Sequence, residues 1–233
     1  MDATPQTAAR DRAEAPRPEA PAEDAARSAA REEVLAAAAR AFMERGYAAT
    51  SIDDVAAAMD ATKGRVYHYY RSKLDLFADV VRRSLDVIHA EVIAAAEAAG
   101  PDPRARLTAM TRAHLDSILR DQPFHRCALQ GVEMHLTTAL TPDQRAALDG
   151  IVALRDRHQR LFEGAVAAAF PGRGRDLKPV VLTFLAALNG PVWWYRPRAG
   201  DSAADRAALI DSIAAFALAG AAAHPATTLG RTP

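Results

Sequence analysis

The sequence TKGRVYHYYRSK, residues 62–73, carries four cations and no acid, with three tyrosines and one histidine among them. At the helical angle of about 100° per residue, Val66 and Tyr70 fall on one face, where they would seat a helix on its neighbours. Arg65 and His68 fall on the opposite face. The pattern predicts a short helix with an apolar inner side and a basic, aromatic outer side.

A very short helix is predicted immediately before this segment. Thr50 or Ser51 can cap it, Asp53 and Asp54 lie in its first turn, and it breaks at Asp60. Two short helices joined by a tight turn, the second basic and aromatic, are typical of a helix-turn-helix whose second helix enters the major groove. The alternative is a solvated basic helix beside an aromatic core patch. The alternation of basic, aromatic and small residues on one exposed face favours DNA binding.

The helix that completes this unit is predicted to begin at Ser28, a suitable N-cap residue, and to end at Gly46, which permits a left-handed stop. Residues 28–72 then form a three-helix, helix-turn-helix DNA-binding domain. Residues 1–27 contain four prolines and no large apolar side chain after Met1. Such a segment cannot bury enough surface to offset its ordering entropy, so we expect a disordered tail.

The rest of the chain is predicted to be helical as well. A capping box of Ser72 and Asp75 opens a long helix that runs to Gly100. The patterns then place helices at about 103–121, 124–138, 141–170, 177–196 and 203–223. Residues 73–224 form a larger helical domain for effector binding and dimerisation, and residues 225–233 form a C-terminal tail. The predicted fold class is all-α.

Composition and charge exclude several classes of protein. The 29 basic and 29 acidic side chains cancel, which argues against a protein that coats nucleic acid by bulk charge. Cys127 is the only cysteine, so the chain has no internal disulfide and no multi-thiolate metal site. We expect no secretory signal, because the first residues are polar. The longest near-apolar stretch, Val180 to Tyr195, is too short to span a bilayer, so we expect a soluble cytoplasmic protein.

No catalytic constellation is recognisable in the sequence. Gly172-x-Gly174 lacks the preceding strand and the third glycine of a dinucleotide-binding loop. Glu133 and His135 are two residues apart and would point to different sides of a helix. We therefore expect a protein that is not an enzyme and that carries no cofactor and no metal.

Residues 34–76 resemble the N-terminal domain of the TetR/AcrR (tetracycline-repressor) family of bacterial regulators. The matching positions are Ala38, Phe42, Gly46-Tyr47, Thr50-Ser51, Val55-Ala56, Thr62-Lys63-Gly64, Val66-Tyr67, Tyr70, Ser72-Lys73 and Leu76. Two positions depart from the family pattern. Asp60 stands where the family has its turn glycine, although Asp tolerates a left-handed conformation better than most residues. Arg65 replaces a common small hydroxyl residue, so the base preference of the family does not transfer.

The resemblance implies a ligand-responsive repressor that leaves a near-palindromic operator when a small-molecule effector binds. Ser51 and Lys73 would bind phosphates, and Tyr67 would contact the DNA backbone. The side that faces the groove would consist of Thr62, Lys63, Arg65, His68 and Tyr69, with Gly64 allowing close approach of the DNA.

The last two predicted helices, 177–196 and 203–223, are apolar nearly all round and must therefore be buried on all sides. The same pair from a second copy would cover them, because their alanines and glycines allow close approach. The resemblance implies the same homodimer, with recognition helices about 34 Å apart on the operator. The alternative is a monomer in which these helices are simply central.

An effector cavity is expected among the middle helices. Its candidate residues are Met110, His114, Met134, His158, Phe162, Asn189 and Trp193. A lone histidine is more often a hydrogen-bonded structural residue than a ligand contact, and the methionines and phenylalanines suit an ordinary core equally well. Residues 189–197 resemble family members that sense acyl-CoA thioesters or related compounds, which implies an acyl-CoA or another carboxylic or hydrophobic effector. Three nearby basic residues would either bind the phosphates of such an effector or belong to a solvated loop, namely Arg173, Arg175 and Lys178.

The competing hypothesis is an all-α metabolite-binding protein or enzyme that has kept a vestigial DNA-binding unit. Such a unit has no need for exposed cations and tyrosines between Thr62 and Lys73. The exposure of that segment therefore discriminates between the two hypotheses.

Overall fold

The computed structural model describes the backbone of residues 20–137, 141–171 and 177–223. These residues form ten α-helices and no β-strand, which confirms the all-α fold. The helices are α1 (Ala20–Ala49), α2 (Ile52–Ala57), α3 (Lys63–Tyr67), α4 (Lys73–Ala98), α5 (Pro103–Arg120), α6 (Gln122–Thr137), α7 (Pro142–Ala169), α8 (Lys178–Asn189), α9 (Pro191–Trp194) and α10 (Ala203–Ala223).

Helix α1 begins at Ala20 rather than at Ser28, so residues 20–27 are helical where the sequence predicted a tail. This stretch is rich in alanine, the best helix former, and Pro21 lies in the first turn, where its missing N–H leaves no bond unmade. The remaining expectations for the two tails concern residues 1–19 and 224–233, which lie outside the described residues.

Gly46 interrupts α1 as expected, although one further turn follows it. Its φ of 78° and ψ of 160° belong to a region that is essentially restricted to glycine. The residue thus redirects the chain from the long part of α1 towards α2.

The expected helix over 177–196 is divided into α8 and α9 at Gly190. Pro191 lacks a backbone N–H, and its ring excludes a continuous helix through this point. Trp193 and Trp194, which follow the division, both have exposed side chains.

The buried residues form two apolar clusters. The first joins α1, α2, α3 and the N-terminal half of α4, with Phe42 and Phe77 edge to face at 5.3 Å. It continues into α6 and α7 through Phe124, Cys127 and Ile151. The second joins the rest of α4 with α5, α7, α8 and α10. The helix-turn-helix unit therefore packs directly on the larger body, and α4 belongs to both cores.

Helix α10 has little internal cover for so apolar a helix. Its length and mean hydropathy of 1.5 would suffice to cross a membrane, and only 22% of its most apolar stretch is buried. Phe216 is 75% exposed, and Leu182 of the adjacent α8 is also exposed. This apolar face has nothing from the described chain packed on it.

Candidate nucleic-acid interface and effector cavity

The first helix of the two-helix unit, α2, has a complete capping box. The Ser51 hydroxyl accepts a hydrogen bond from the Asp54 backbone N–H at 3.1 Å, and the Ser51 N–H donates to the Asp54 carboxylate at 2.8 Å. The Ser51 hydroxyl, which also donates to the Asp54 carboxylate at 2.6 Å, and the Ser51 N–H lower the pKa of Asp54. Ser51, one of the expected phosphate ligands, is exposed beside this cap.

The turn between α2 and α3 retains the geometry expected for it. Asp60 has a φ of 49°, in the left-handed region, and it is the only non-glycine with positive φ among the described residues. The Ala61 N–H closes the turn on the Ala56 carbonyl at 3.0 Å. Asp therefore replaces the family glycine without loss of the turn, as the sequence predicted.

The recognition helix α3 is shorter than the segment Thr62 to Tyr70 that the sequence predicted. The helix proper ends at Tyr67, but the Tyr70 N–H still bonds the Val66 carbonyl at 3.0 Å. Its two faces are confirmed. Val66 and Tyr70 are buried, and the exposed residues are Thr62, Lys63, Gly64, Arg65, Tyr67 and His68, with Tyr69 half-buried beside His68.

A buried carboxylate that the sequence analysis missed fixes the end of this segment. The Tyr70 hydroxyl donates to Asp79 of α4 at 2.8 Å. Arg31 of α1 and Arg82 of α4 donate to the same carboxylate. Burial, together with Asp79, raises the pKa of Tyr70. This network joins the recognition segment to both long helices of the unit.

Three of the four cations in the segment 62–73 have partners within the described part of the protein. The Arg65 guanidinium donates to Glu33 of α1 at 2.6 Å, and the Lys63 ammonium lies 3.9 Å from Asp53. The Lys73 ammonium donates to the Tyr47 carbonyl at 2.9 Å and lies 4.4 Å above the Tyr47 ring. Surface pairs of this kind are worth about 0–1 kcal/mol, so a phosphate or a base can displace the acids.

A cavity of about 430 Å³ lies between α4, α5, α6, α7, α8 and α9. Four of the expected residues line it, namely His114, His158, Asn189 and Trp193. Phe162 lies behind this wall, with its ring 5.3 Å from that of His158, whereas Met110 is buried in the core and does not line the cavity. The Met134 side chain lies outside the described residues, as do Arg173 and Arg175.

The polar side of the cavity is a chain of hydrogen-bonded histidines. His114 Nε2 lies 3.1 Å from Asn189 Oδ1, and His114 Nδ1 lies 3.1 Å from His158 Nε2. His158 Nδ1 is 3.4 Å from His89 Nδ1, and Arg157 Nε donates to His89 Nε2 at 3.0 Å. Burial lowers the pKa of His114 to about 3 and, with its histidine neighbours, that of His158 to about 2.

His125 of α6 lines the cavity together with His114 and His158, and it was not among the residues predicted from the sequence. Its two ring nitrogens lie 2.9 Å from the Ser84 hydroxyl and 3.3 Å from the Ser117 hydroxyl. Burial lowers its pKa to about 3. Nothing in the local sequence distinguishes it, because its partners come from α4 and α5.

An exposed basic and aromatic helix on a capped two-helix unit, together with a separate cavity among the remaining helices, defines a DNA-binding regulator that responds to a small molecule. Two family models match the chain. Residues 34–80 match bacterial regulatory proteins of the tetR family, and residues 100–221 match the tetracyclin repressor-like C-terminal domain.

Individual relatives agree with these matches. The chain is 32% identical over 167 residues to the transcriptional regulator AcuR of Cereibacter sphaeroides, covering 71% of this chain and 75% of AcuR. It is 34% identical over 102 residues to the repressor KstR2 of Rhodococcus jostii, and the match covers 42% of this chain and 48% of KstR2. The crystal structure of AibR in complex with isovaleryl coenzyme A and operator DNA has the same fold, with a TM-score of 0.61 and 23% sequence identity. The match covers 80% of this chain and 97% of the AibR chain.

The chain belongs to the TetR family of bacterial transcriptional regulators. It is a ligand-responsive, DNA-binding regulator, and the family consists of regulators rather than enzymes. Regulators of this family bind operator DNA, dimerise and bind small-molecule effectors.

Proposed function

We propose that the protein is a cytoplasmic homodimeric repressor that leaves a near-palindromic operator when an acyl-CoA or another carboxylic or hydrophobic metabolite binds in its cavity. The observation that carries this proposal is the exposure of the basic, aromatic side of α3, while Val66 and Tyr70 seat the helix on the unit below. The relative KstR2 is a repressor, which supports repression rather than activation by this protein.

The residues proposed to contact DNA are those that the sequence indicated. Arg65 and Lys63 are exposed on α3 and can exchange their surface acids for DNA, since an Arg fork matches the acceptors of guanine. Thr62, Gly64, His68 and Tyr69 would lie against the groove, and Tyr67, which is 51% exposed, against the backbone. Ser51 and Lys73 would bind phosphates at the edges of this surface. Residues 28–72 then form the DNA-binding domain and residues 73–224 the sensing and dimerisation domain.

The proposed dimer forms through α8 and α10. Leu209 and Ile213 of α10 are half-buried, whereas Phe216 and Gly220 on the same stripe are exposed. In a two-fold dimer, the same stripe of the second protomer would cover these residues, and the glycine permits close approach of the two helices. The monomer alternative leaves a phenylalanine 75% exposed on an apolar helix. The same interface accounts for the apolar character of α10 without a membrane.

The route from effector to DNA is proposed to run through α4. One end of α4 supplies Asp79 to the network that holds Tyr70, and the middle supplies Leu85 and Ile88 to the cavity wall. A ligand that fits the cavity better in one dimer geometry shifts the population towards that geometry by its differential affinity. The structure with isovaleryl coenzyme A supports an acyl effector for this fold.

Replacement of Arg65 tests the DNA contact. We expect Arg65→Ala to weaken binding to the operator by about 1–3 kcal/mol and to relax specificity at one base pair, because a bidentate base contact is lost. Lys73→Ala should weaken binding to all duplexes alike and reduce the salt dependence by about one phosphate contact. Anisotropy titrations on operator and scrambled duplexes at several salt concentrations measure both effects.

The matched control for Arg65→Ala is Glu33→Ala, which removes the same ion pair from its other side. Glu33→Ala should keep the specificity for the operator, whereas Arg65→Ala should lose it. Lys73→Ala also removes the Lys73 hydrogen bonds to α1, which would lower the melting temperature of the protein. Melting temperatures recorded in parallel therefore separate this effect on stability from the loss of a phosphate contact. Equal losses for Arg65→Ala on operator and scrambled duplexes would contradict the base-reading role.

A further inference from the structure

The histidines at the cavity have no hydrogen-bonding capacity left for a ligand. Both ring nitrogens of His114 and of His158 are engaged by neighbours, and the two serines engage both nitrogens of His125. All three are neutral near pH 7, because their pKa values lie far below it. A neutral imidazole has one N–H and one lone pair, so two bonds satisfy it completely. The ligand must therefore bond other groups.

The direction of every bond in the histidine chain follows from its first member. A guanidinium can only donate, so His89 Nε2 accepts from Arg157 and the proton of His89 is on Nδ1. His89 then donates to His158 Nδ1, and His158 donates from Nε2 to His114 Nδ1. His114 is left with its proton on Nε2, which it donates to Asn189. No other set of neutral tautomers is compatible with all the hydrogen bonds of these three histidines.

This direction fixes the orientation of the Asn189 carboxamide. The atom next to His114 must be the acceptor Oδ1, so the Nδ2 amino group occupies the other position of a side chain that lines the cavity. The Nδ2 group makes no hydrogen bond to the described residues. Asn189, the only asparagine of the chain, thus presents donors to the cavity.

The other polar side chains of the cavity wall, among the described residues, are Arg155 and Gln159 of α7 and the Trp193 indole of α9. Arg155, one turn before His158, is an exposed cation with no ion pair to the described residues. The Gln159 amide donates one of its two N–H groups to Glu163 at 2.8 Å, which leaves its carbonyl acceptor and its second N–H. The rest of the lining is mainly aliphatic, from Leu85, Ile88, Ile118, Leu129, Leu182 and Leu185.

We infer that the cavity takes an acyl compound whose carbonyl oxygen accepts a hydrogen bond from the Asn189 amide, with its apolar chain along the leucines and isoleucines. His114 and His158 are positioning residues, which act by holding that amide. A cationic amine is disfavoured by Arg155, and the described residues that line the cavity include no carboxylate to pair with it. This assignment rests on the proposed effector role of the cavity. Free acids and esters both carry the carbonyl oxygen that it requires.

Calorimetric titration with three eight-carbon probes tests the inference. Octanoate and methyl octanoate should bind the wild-type dimer, and octylamine should not. Asn189→Asp should weaken octanoate at least about tenfold, because the donors are replaced by a carboxylate. Ala94→Asp adds the same charge on the exposed face of α4 and should leave the affinity unchanged.

Arg155→Gln provides a second variant on an exposed side chain that folding does not require. It should weaken octanoate more than methyl octanoate, which distinguishes the free acid from the ester. Octylamine binding as tight as octanoate, unchanged octanoate affinity in Asn189→Asp, or no binding of any probe would each overturn the ligand class. Operator binding is measured separately, so octanoate binding by a protein that binds no operator would contradict the repressor and leave the acyl site standing.

Discussion

Phe216→Glu is expected to convert the protein to a monomer and to abolish tight operator binding. Phe216 is 75% exposed on the apolar face of α10, which a second copy would cover. A central aromatic side chain of an interface contributes about 2 kcal/mol or more, and a two-fold axis counts each substitution twice. The dimer dissociation constant should rise about 1,000-fold, since about 4 kcal/mol is lost. Sedimentation velocity and anisotropy titration measure the two effects.

The control is Ala94→Glu, which places the same charge on the exposed face of α4. It should remain dimeric and bind the operator as the wild type does. Circular dichroism should show the same helix content in all three proteins, because Phe216 is not part of the internal core. A Phe216→Glu protein that remains dimeric would contradict the α8 and α10 interface.

Acidification is expected to destabilise the fold steeply between about pH 6.5 and pH 3. The pKa values of His114, His125 and His158 lie at about 3, 3 and 2 in the fold, against about 6.5 in the unfolded chain. Between these limits the unfolded state binds more protons, so stability is lost as the pH falls. Each histidine contributes about 1.4 kcal/mol per pH unit, which gives about 4 kcal/mol per unit for three.

Denaturant unfolding at pH 7.5, 6.5, 5.5 and 5.0 measures this slope. His125→Gln should remove about one third of it, because one of the three buried histidines is lost. Domains of this kind are stable by only about 5–15 kcal/mol, so a slope of this size unfolds the protein well above pH 3. An unfolding free energy that is constant from pH 7.5 to 5.0 would contradict the buried neutral histidines.

Much of the DNA-binding unit could be predicted because its signals are local. The Ser51 cap, the left-handed Asp60 and the buried face of Val66 and Tyr70 depend on residues within one or two turns. The bounds of α10 were equally local, set by Ser202 and Asp205 at its start. Caps, turns and helical periodicity act over such distances, and a sequence displays them directly.

The cavity could be predicted only in part, because its polar bonds join distant segments. His114 was a candidate, but its bonds to His158 and Asn189 span 44 and 75 residues. No periodicity links such positions, and the tautomer of each ring depends on the whole chain of bonds. Asp79 was missed for the same reason, because its partners Arg31 and Tyr70 lie on other segments of the fold.

Selection from a pool of random duplexes, followed by sequencing of the bound fraction, measures whether this protein reads a specific DNA sequence as a dimer. The proposal predicts one near-palindromic motif with half-site centres about 10 base pairs or a multiple of that apart, which Arg65→Ala fails to enrich. A bound fraction with no enriched motif, at salt concentrations where binding persists, would contradict it.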